Sequence, residues 1–275
     1  MKFEALNSIN VKTLTKEYDL EDMCCYSITI GADGCVYLFF IEGQYTIKYN
    51  YSLKHKYAAI RLIPDWYCGN NMVSEFLHLG EYREKFSSVH ILDNHLMLVG
   101  RDDKHSIGVV LDEHLKECKR MNFGIAYWHN VIVMDDNRII LGRELGEMCY
   151  EAVKIFDENG CVTSIKQPSY WDVEAINIDE KGNLWYYAYP DYVFICTDGR
   201  SVKSDGEIYK FAVLPYNQGL VASIHNEFKL LRFNGQTEKV IFTYAGIELQ
   251  HDSCSFRQNR GVLLDKDMLY IFEMQ

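Results

Sequence analysis

Residues 175–200, AINIDEKGNLWYYAYPDYVFICTDGR, decide the fold of this chain. Apolar and polar residues alternate on both sides of an Asp-x-x-Gly turn that begins at Asp179, and this alternation predicts two strands joined as a hairpin. A second alternating segment, YVFIC, leads into another polar turn, Thr-Asp-Gly. Asp, Asn and Gly favour tight turns because they tolerate positive φ. The stretch therefore predicts two successive hairpin signals.

Both signals recur along the chain, and they alternate. The first signal has five further predicted copies: SITIGADGCVYLFF from Ser27, VHILDNHLMLVG from Val89, VIVMDDNRIILG from Val131, FAVLPYNQGLVAS from Phe211 and GVLLDKDMLYIF from Gly261. The second also has five: FEALNSINVKTL from Phe3, YTIKYNYSLKHK from Tyr45, IGVVLDEHLKEC from Ile107, AVKIFDENGCVTS from Ala152 and FKLLRFNGQTEKV from Phe228.

The spacing of the second signal gives the repeat length. Its polar turn residues are Asn7, Asn50, Asp112, Asp157, Thr197 and Asn234, with steps of 43, 62, 45, 40 and 37 residues. A repeat of about 40 to 50 residues with four strands is typical of a β-propeller. We predict an all-β fold, a six-bladed β-propeller of four-stranded antiparallel blades. The competing predictions are a pair of β-sandwiches or a smaller ring with irregular strands.

The chain ends predict how the propeller closes. The N-terminus opens with the second hairpin of a unit and the C-terminus ends with the first, so N-terminal strands are expected to complete the C-terminal blade. Such closure leaves no free sheet edge. We predict a single domain over residues 1–275, with an insertion at about 57–88 between the first and second full blades. Within it, MVSEFLHLGEYREKF predicts a short helix with Val73, Phe76 and Leu77 on one side, or else a plain loop.

Residues 178–185, IDEKGNLW, carry a family resemblance. The pattern Asp-x-x-Gly-Asn-(Ile/Leu)-(Tyr/Trp) resembles the blades of NHL-type and two-component-regulator-type propellers. The WD40 pattern is not matched, because Trp171-Asp172 precedes an inner strand, and the double glycine of kelch blades is absent. The resemblance implies the propeller fold and leaves the activity open, since this superfamily includes enzymes, receptors and scaffolds.

Composition limits the partners. The formal net charge of −11 disfavours nucleic acid and anionic membranes, because an acidic surface repels phosphate groups. No apolar run is long enough to span a bilayer, and no secretory signal is visible. Nine cysteines without a Cys-x-x-Cys pair indicate a reduced, soluble, cytoplasmic protein. We expect a protein, peptide or small-molecule ligand as partner.

The position of the loops predicts the functional face. If A to D denote the strands of a blade from inner to outer, the A–B and C–D turns lie on one face, and the B–C and D–A connections on the other. The A–B and C–D turns are short, whereas the D–A and B–C connections are longer, irregular and aromatic. Variable loops on a rigid scaffold commonly bind ligands, so we expect the binding site on the face formed by the D–A and B–C loops.

Matched residues in neighbouring blades suggest a ligand-binding site on that face. Trp residues offer flat surfaces for sugar rings, peptide side chains or cations, and Arg residues offer planar donors to carboxylate or phosphate. The alternative is that the Trp residues fill gaps between blades and that each Arg pairs with a neighbouring acid. The predicted ligand-binding residues are Tyr127, Trp128, Tyr170, Trp171, Arg101, Arg143 and Trp66.

Catalytic signals are weak. No Gly-rich phosphate loop, His-Glu-x-x-His or Gly-x-Ser-x-Gly motif occurs. The candidate acid or base residues are His129, Asp172 and His251, which could meet at the mouth of the channel. Neither a cofactor nor a metal site is predicted. The favoured function is therefore a non-enzymatic binding propeller. The alternative is a hydrolase or lyase that acts on a carbohydrate or polar metabolite, and a structural role in a larger complex is a third possibility.

Overall fold

The computed structural model describes residues 1–43, 53–66, 72–125, 128–143, 153–158, 162–165, 172–189, 191–224, 227–250 and 252–275, with the backbone alone for residues 129, 143 and 163–165. These residues form six sheets, one of which includes a parallel pair, together with one short α-helix and one 3-10 turn. The six-bladed β-propeller predicted from the repeat is confirmed. Among the described residues, no helix has the length and apolar character needed to cross a membrane.

The chain divides into two compact units, and the first of them, Ile9–Ala126, contains blades 1 and 2. The chain begins with β1 (Lys2–Glu4), β2 (Asn7–Asn10) and helix α1 (Val11–Glu17). Blade 1 consists of β3 (Met23–Ile30), β4 (Val36–Glu42), β5 (His55–Pro64) and β6 (Met72–Tyr82). Blade 2 consists of β7 (Lys85–Leu92), β8 (His95–Arg101), β9 (Ser106–Leu111) and β10 (Glu117–Gly124).

The second unit, Met1–Ser8 with Tyr127–Gln275, contains the other four blades. Blade 3 consists of β11 (Trp128–Val133), β12 (Ile139–Arg143), β13 (Val153–Phe156) and β14 (Val162–Ile165). Blade 4 consists of β15 (Asp172–Ile178), β16 (Leu184–Tyr189), β17 (Val193–Cys196) and β18 (Ser201–Lys203). Blade 5 consists of β19 (Ile208–Val213), β20 (Leu220–Ile224), β21 (Glu227–Leu231) and β22 (Thr237–Tyr244), with the short β23 (Ile247–Glu248) paired to β22. Blade 6 consists of β24 (Ser253–Arg257), β25 (Arg260–Asp265), β26 (Met268–Glu273) and β2.

The N-terminal closure is confirmed, because β2 pairs with β26 as the fourth strand of blade 6. The strands are divided differently from the prediction: the C-terminal segment supplies three strands, and the N-terminal segment supplies one. FEALNSINVKTL is not a hairpin, because Asn10 accepts a hydrogen bond of 2.9 Å from the backbone N–H of Thr13 and thereby caps α1. The preceding strand, β1, instead pairs in parallel with β22 of blade 5.

Blade 6 also begins earlier than predicted. GVLLDKDMLYIF forms its B and C strands, β25 and β26, whereas its A strand is β24. The A–B turn of this blade consists of Gln258 and Asn259, and Gln258 itself adopts a φ of 54°. This turn contains Asn259 but none of the Gly or Asp residues that mark the other hairpins, and it was not predicted.

The predicted helix within residues 72–86 is wrong, and so is the insertion at about 57–88. These residues form most of β5, then β6 and the start of β7. Strand β6 pairs with β5 along its whole length, with Met72 opposite Pro64 at one end and Tyr82 opposite His55 at the other. Its side chains alternate in burial, as expected for a strand. The C–D turn of blade 1 therefore follows Pro64, so Asn50 was the wrong register mark; residues 44–52 lie outside the described residues.

Aromatic side chains fill the space between blades. In the first unit, Tyr37, Phe39 and Tyr57 of blade 1 belong to one buried cluster with Leu98 and Val109 of blade 2. The rings of Phe39 and Tyr57 stack with centroids 5.6 Å apart. Burial of such rings is the main stabilising contribution in an all-β fold of this composition.

Candidate functional site

Each blade has two ends that differ in their connections. The A–B and C–D turns lie at one end, which we call the turn end, and the B–C and D–A connections lie at the other, which we call the connection end. Antiparallel strands reverse direction at every step, so this division follows directly from the strand order. The predicted binding residues were expected at the connection end.

Trp128 is the first residue of β11, at the connection end of blade 3. Its side chain is only 7% exposed, and the Lys154 Nζ atom lies 5.9 Å from the centroid of its ring. A ring with so little exposed surface is poorly suited to stack on a ligand. Its burial favours the interpretation that Trp128 fills a gap in the fold.

Arg101 and Arg143 occupy equivalent places, since each is the last residue of a B strand, in β8 and β12. The glycine before Arg101 has a structural explanation: a Cβ atom on Gly100 would lie 2.1 Å from the carbonyl oxygen of Lys85. Asp102 accepts hydrogen bonds from the backbone N–H groups of Lys104 and His105, so it shapes its own loop.

Trp66 is not at the connection end, and its predicted place in a D–A loop is wrong. It follows β5 in the C–D connection of blade 1, because β6 is the fourth strand of that blade. Its Nε1 atom donates a hydrogen bond of 2.9 Å to the carbonyl oxygen of Gly34, and the side chain is 6% exposed. Trp66 thus joins the C–D connection to the A–B turn of its own blade.

The side chains of several predicted site residues are not among those that the structure describes. Tyr127, Tyr170, Trp171 and His251 lie outside the described residues, and for Arg143 and His129 the backbone alone is described. Whether His129, Asp172 and His251 approach one another is therefore not tested, and their catalytic role stays a prediction.

Asp172 is placed at the connection end of blade 4. It is the first residue of β15, pairs with Tyr189 of β16 and is only 1% exposed. Next to it, Asn130 of blade 3 donates hydrogen bonds of 3.0 and 2.7 Å to the carbonyl oxygens of Val173 and Glu174. The start of β15 is therefore held firmly against the neighbouring blade.

Tyrosines and glutamates gather at this end of blade 4. We call the group formed by Tyr187, Tyr189, Tyr192, Tyr209, Glu174 and Glu207 the tyrosine cluster. The Tyr209 hydroxyl donates to Glu207 at 3.1 Å, and the rings of Tyr189 and Tyr192 meet edge to face at 5.7 Å. The Tyr209 side chain is 61% exposed, so part of the cluster faces solvent.

The carboxylates of the tyrosine cluster act electrostatically on its phenols. Burial, together with the negative charge of Glu174, raises the pKa of Tyr187, whose hydroxyl donates to the Gly206 carbonyl oxygen at 2.8 Å. The hydrogen bond to Glu207 raises the pKa of Tyr209. Tyr187 and Tyr209 therefore stay protonated at neutral pH and remain hydrogen-bond donors. The cluster combines aromatic faces with negative charge, which is the chemistry that attracts cations.

A second candidate lies at the turn end, within the first unit. A cavity of about 210 Å³ opens between blades 1 and 2, and we call it the interblade groove. Its polar wall includes Asp33, Tyr37, Arg61 and Glu75 from blade 1. Arg61 lies 3.1 Å from Asp33 and 3.5 Å from Glu75, and the Tyr37 hydroxyl donates to Asp33 at 2.7 Å.

The equivalent gap between blades 4 and 5 is filled by the chain itself. The Arg200 guanidinium lies 5.0 Å from the ring centroid of Trp185 and 5.7 Å from that of Phe233. It donates hydrogen bonds of 2.7 Å to both Asp179 and Asp198. Metal-ligand atoms of Asp179, Cys196 and Asp198 lie within 4.8 Å of one another, but Arg200 already supplies the positive charge that a metal ion would bring.

Sequence reasoning missed the groove for an identifiable reason. Its polar residues come from four different strands or turns of blade 1, and two of them, Arg61 and Glu75, lie in the segment that was predicted to be an insertion. One signal was available: Arg61 is a lone cation within the apolar run YAAIRLIP of β5. In a strand, every second side chain points to the same face, so a charged residue among apolar residues of that face indicates a polar site that faces inward.

Comparison with known proteins supports the fold. No protein-family model matches the chain, and the comparison with curated proteins found no significant match. Among solved structures, the chain is similar to virginiamycin B lyase from Staphylococcus aureus, with a TM-score of 0.55 and 12% identity over 98% of each chain. A catalytically inactive variant of that lyase with quinupristin gives a TM-score of 0.55 and 11% identity, over 93% of this chain and 96% of that one.

A second solved β-propeller is similar to a slightly lower degree. The β-propeller domain of Cps50 (Swd1) from Myceliophteria thermophila gives a TM-score of 0.50 and 9% identity, over 91% of this chain and 82% of that one. Identities this low establish a shared fold and leave activity undetermined.

Proposed function

We propose that the protein is a non-enzymatic binding propeller whose connection end engages a positively charged ligand, either a protein or peptide with basic side chains or a small cationic molecule. The tyrosine cluster carries this proposal. Three of its members, Tyr189, Tyr192 and Tyr209, are half-buried or exposed beside Glu174 and Glu207. Aromatic faces and carboxylates together bind ammonium and guanidinium groups more strongly than either does alone.

The net charge supports the same partner class. A formal net charge of −11 attracts cations over distances of about a Debye length, ~8–10 Å at physiological salt. The same charge opposes nucleic acid and anionic membranes, which we propose are not partners. The other predicted ligand residues of this end, namely Tyr127, Trp128, Tyr170, Trp171, Arg101 and Arg143, remain part of the proposed surface as neighbours of the cluster.

The cysteines support a reducing compartment, and we propose the cytoplasm. Six of the nine cysteines fall among the described residues, and all six are free thiols. Burial raises the pKa of Cys25 to about 12 and that of Cys196 to about 11. Thiols with such a raised pKa are poorly reactive and serve as small apolar side chains.

Peptide binding tests the proposed function. A fluorescein-labelled peptide of alternating Gly and Lys should bind the full chain, and binding should weaken as salt increases, whereas the matched Gly-Glu peptide should not bind. Glu174→Gln and Glu207→Gln should each weaken binding by about two- to fivefold, the effect of ~0.5–1 kcal/mol from one partly exposed charge. Fluorescence anisotropy gives both affinities.

A matched control is Glu180→Gln, an exposed carboxylate at the turn end of the same blade. It makes the same change in net charge and should leave the affinity unchanged. Equal losses in Glu180→Gln and Glu207→Gln would mean that net charge alone attracts the peptide. Binding of the Gly-Glu peptide as tight as that of the Gly-Lys peptide would contradict the proposal outright.

One observation favours the alternative function, a hydrolase or lyase for a carbohydrate or polar metabolite. Asp172 is a carboxylate that is 1% exposed at the connection end and pairs with Tyr189 of the tyrosine cluster. Buried carboxylates in such places commonly act as an acid or base. If a bound ligand is turned over and Asp172→Asn keeps the affinity but abolishes turnover, the enzyme hypothesis replaces the binding one.

A further inference from the structure

The interblade groove lies at the turn end of blades 1 and 2, in the unit that does not contain the tyrosine cluster. Its wall from blade 1 carries two carboxylates, Asp33 and Glu75, and one guanidinium, Arg61. The wall from blade 2 is largely apolar, with Ile91 and Leu96. A site of this kind offers charge on one side and an apolar surface on the other.

The gap between blades 4 and 5 shows which chemistry this position of the repeat takes up. Tyr37 and Trp185 occupy equivalent positions. The carbonyl oxygens of Cys35 and Asn183 close the A–B turns of their blades, and each aromatic residue lies two positions after that carbonyl. The aromatic ring of blade 4 is covered by the Arg200 guanidinium, which also donates to Asn217 in the A–B turn of the next blade. The chain thus places a guanidinium at this point between an aromatic ring, two carboxylates and an asparagine.

The groove between blades 1 and 2 has the same kinds of partner but retains open space. Tyr37 takes the place of Trp185, Asp33 and Glu75 supply the carboxylates, and Asn94 lies in the A–B turn of the next blade. Arg61 is on strand β5 itself, whereas Arg200 is in a turn. Arg61 lines a cavity of about 210 Å³.

The charges of the groove leave one negative charge uncompensated. Two carboxylates and one guanidinium sum to −1, and the Glu75 side chain is 52% exposed with its contact to Arg61 at 3.5 Å. Asp33 is more fully used, since it accepts from Tyr37, Arg61 and the backbone N–H of Cys35. Glu75 is therefore the carboxylate with remaining capacity to accept hydrogen bonds.

The volume of the groove limits the size of its occupant. A cavity of 210 Å³ has the volume of about seven water molecules, at ~30 Å³ each. Drug-sized ligands need pockets of about 300–1,000 Å³. The occupant is therefore one long side chain or a small metabolite of similar size.

We propose that the interblade groove is a second binding site, one that takes an aliphatic chain ending in a guanidinium or ammonium group. The cationic end bonds to Glu75 and Asn94, and the methylene stem packs on Leu77 and Leu96. An anion is disfavoured, because it would meet Asp33 and Glu75. Ile63 and Val73 form an exposed cross-strand pair beside Arg61 and Glu75, at 42% and 60% exposure, and they suit the apolar neighbours of a basic residue in a peptide.

Isothermal titration calorimetry of the full chain tests this site with three probes. N-acetyl-arginine amide represents a side chain carried by a peptide, agmatine represents a free small cation, and N-acetyl-citrulline amide is the uncharged isostere. We expect the arginine amide to bind with a millimolar Kd and at least fivefold more tightly than the citrulline amide. Because agmatine carries one more positive charge than the arginine amide, only binding that stays tighter at high salt would identify a small metabolite as the occupant, and tighter binding of the arginine amide would identify a peptide.

Glu75→Gln is the decisive variant, and Glu81→Gln is its control. Both glutamates are exposed on β6, but Glu75 lines the groove, whereas Glu81 pairs across the strands with Lys56. Glu75→Gln should weaken the arginine amide by about two- to fivefold with an unchanged melting temperature, and Glu81→Gln should leave its Kd unchanged. Equal binding of arginine and citrulline amides, no binding at all, or an unaltered Kd in Glu75→Gln would each overturn the site. Glu174 and Glu207 are unaltered in these variants, so an unaltered Kd in Glu75→Gln overturns this site without affecting the proposed function.

Discussion

The guanidinium group of Arg257, at the end of β24, donates a hydrogen bond of 2.8 Å to the carbonyl oxygen of Val133, the last residue of β11. A second bond of 2.7 Å goes to the carboxylate of Asp135. The Arg257 side chain is 7% exposed, so these bonds replace most of its contacts with water. The A strands of blades 3 and 6, which are far apart in sequence, are thus tied together within one compact unit.

Replacement of Arg257 by alanine should lower the free energy of unfolding by about 1–3 kcal/mol, because the Val133 carbonyl loses its buried partner. Asp135 is 70% exposed and regains water, so the larger cost of a stranded buried charge does not apply. Urea unfolding measures the change. The control is Arg138→Ala, which breaks an exposed pair with Asp136 and should cost at most about 1 kcal/mol. Equal losses in the two variants would show that Arg257 makes no special contribution.

Gly100 precedes Arg101 at the end of β8, and its substitution by alanine should destabilise the protein by about 3 kcal/mol. The new Cβ atom would meet backbone atoms of Lys85 and Phe86 at 2.1 and 2.5 Å, and backbone cannot rotate away as a side chain can. The control is Gly43→Ala, where φ is +84° but nothing lies within 4 Å. It carries only the strain of a left-handed residue, about 1 kcal/mol. Thermal unfolding that gives the same loss for both would contradict the close approach seen at Gly100.

The repeat predicted the fold because every blade uses the same local chemistry. Turns such as the one from Asp179 to Asn183 are closed by the Asp179 carboxylate, which accepts from two backbone N–H groups, so the residues themselves mark the turn. Blade 1 was misassigned because Asn50 was taken as the mark of its C–D turn, whereas that connection follows Pro64, and because its D strand, β6, has the composition of a short helix. The prediction for blade 6 was wrong by one strand, because the φ of 54° at Gln258 is imposed by the surrounding sheet.

The candidate sites were harder to predict than the fold. The tyrosine cluster combines residues from β15, β16 and β19 with others from two connections, and the interblade groove combines two blades. Neither has a sequence motif, because their residues meet only after the blades pack together. Arg101 and Arg143, which were predicted from neighbouring blades, do lie at equivalent positions, each at the end of a B strand. For Gly100 and Trp128, close packing explains the residue type.

The closure of blade 6 predicts a specific effect of proline at Leu6. The backbone N–H of Leu6 donates a hydrogen bond of 2.8 Å to the carbonyl oxygen of Ile271 in β26. Leu6→Pro removes this donor and should lower the free energy of unfolding by about 1–3 kcal/mol. Leu6→Ala keeps the donor and removes only a half-buried side chain, so it reports the loss of packing alone. If the proline variant is as stable as the alanine variant, the N-terminal strand does not contribute a ladder bond to blade 6.

The Arg200 cluster should make stability depend on acid pH. The hydrogen bond from Arg200 lowers the pKa of Asp198, and bonds from Asn183 and Arg200 lower that of Asp179, although burial of Asp179 acts in the opposite direction. A carboxyl group with a lower pKa in the folded state binds more protons when unfolded. Its contribution is therefore complete above the unfolded pKa of about 3.9 and is lost as pH falls below it.

Arg200→Gln should consequently flatten the fall in stability between about pH 5 and pH 3, because both carboxyl groups then titrate closer to their unfolded values. The urea midpoint at each pH measures this, with the largest difference between wild type and variant above pH 5. Arg138→Gln removes an exposed guanidinium from the A–B turn of blade 3 and is the matched control, for which we expect the slope of the wild type. An Arg200→Gln variant whose midpoint falls with acid as steeply as that of the wild type would show that the guanidinium between Trp185 and Phe233 stabilises the fold by stacking and not through its carboxylates.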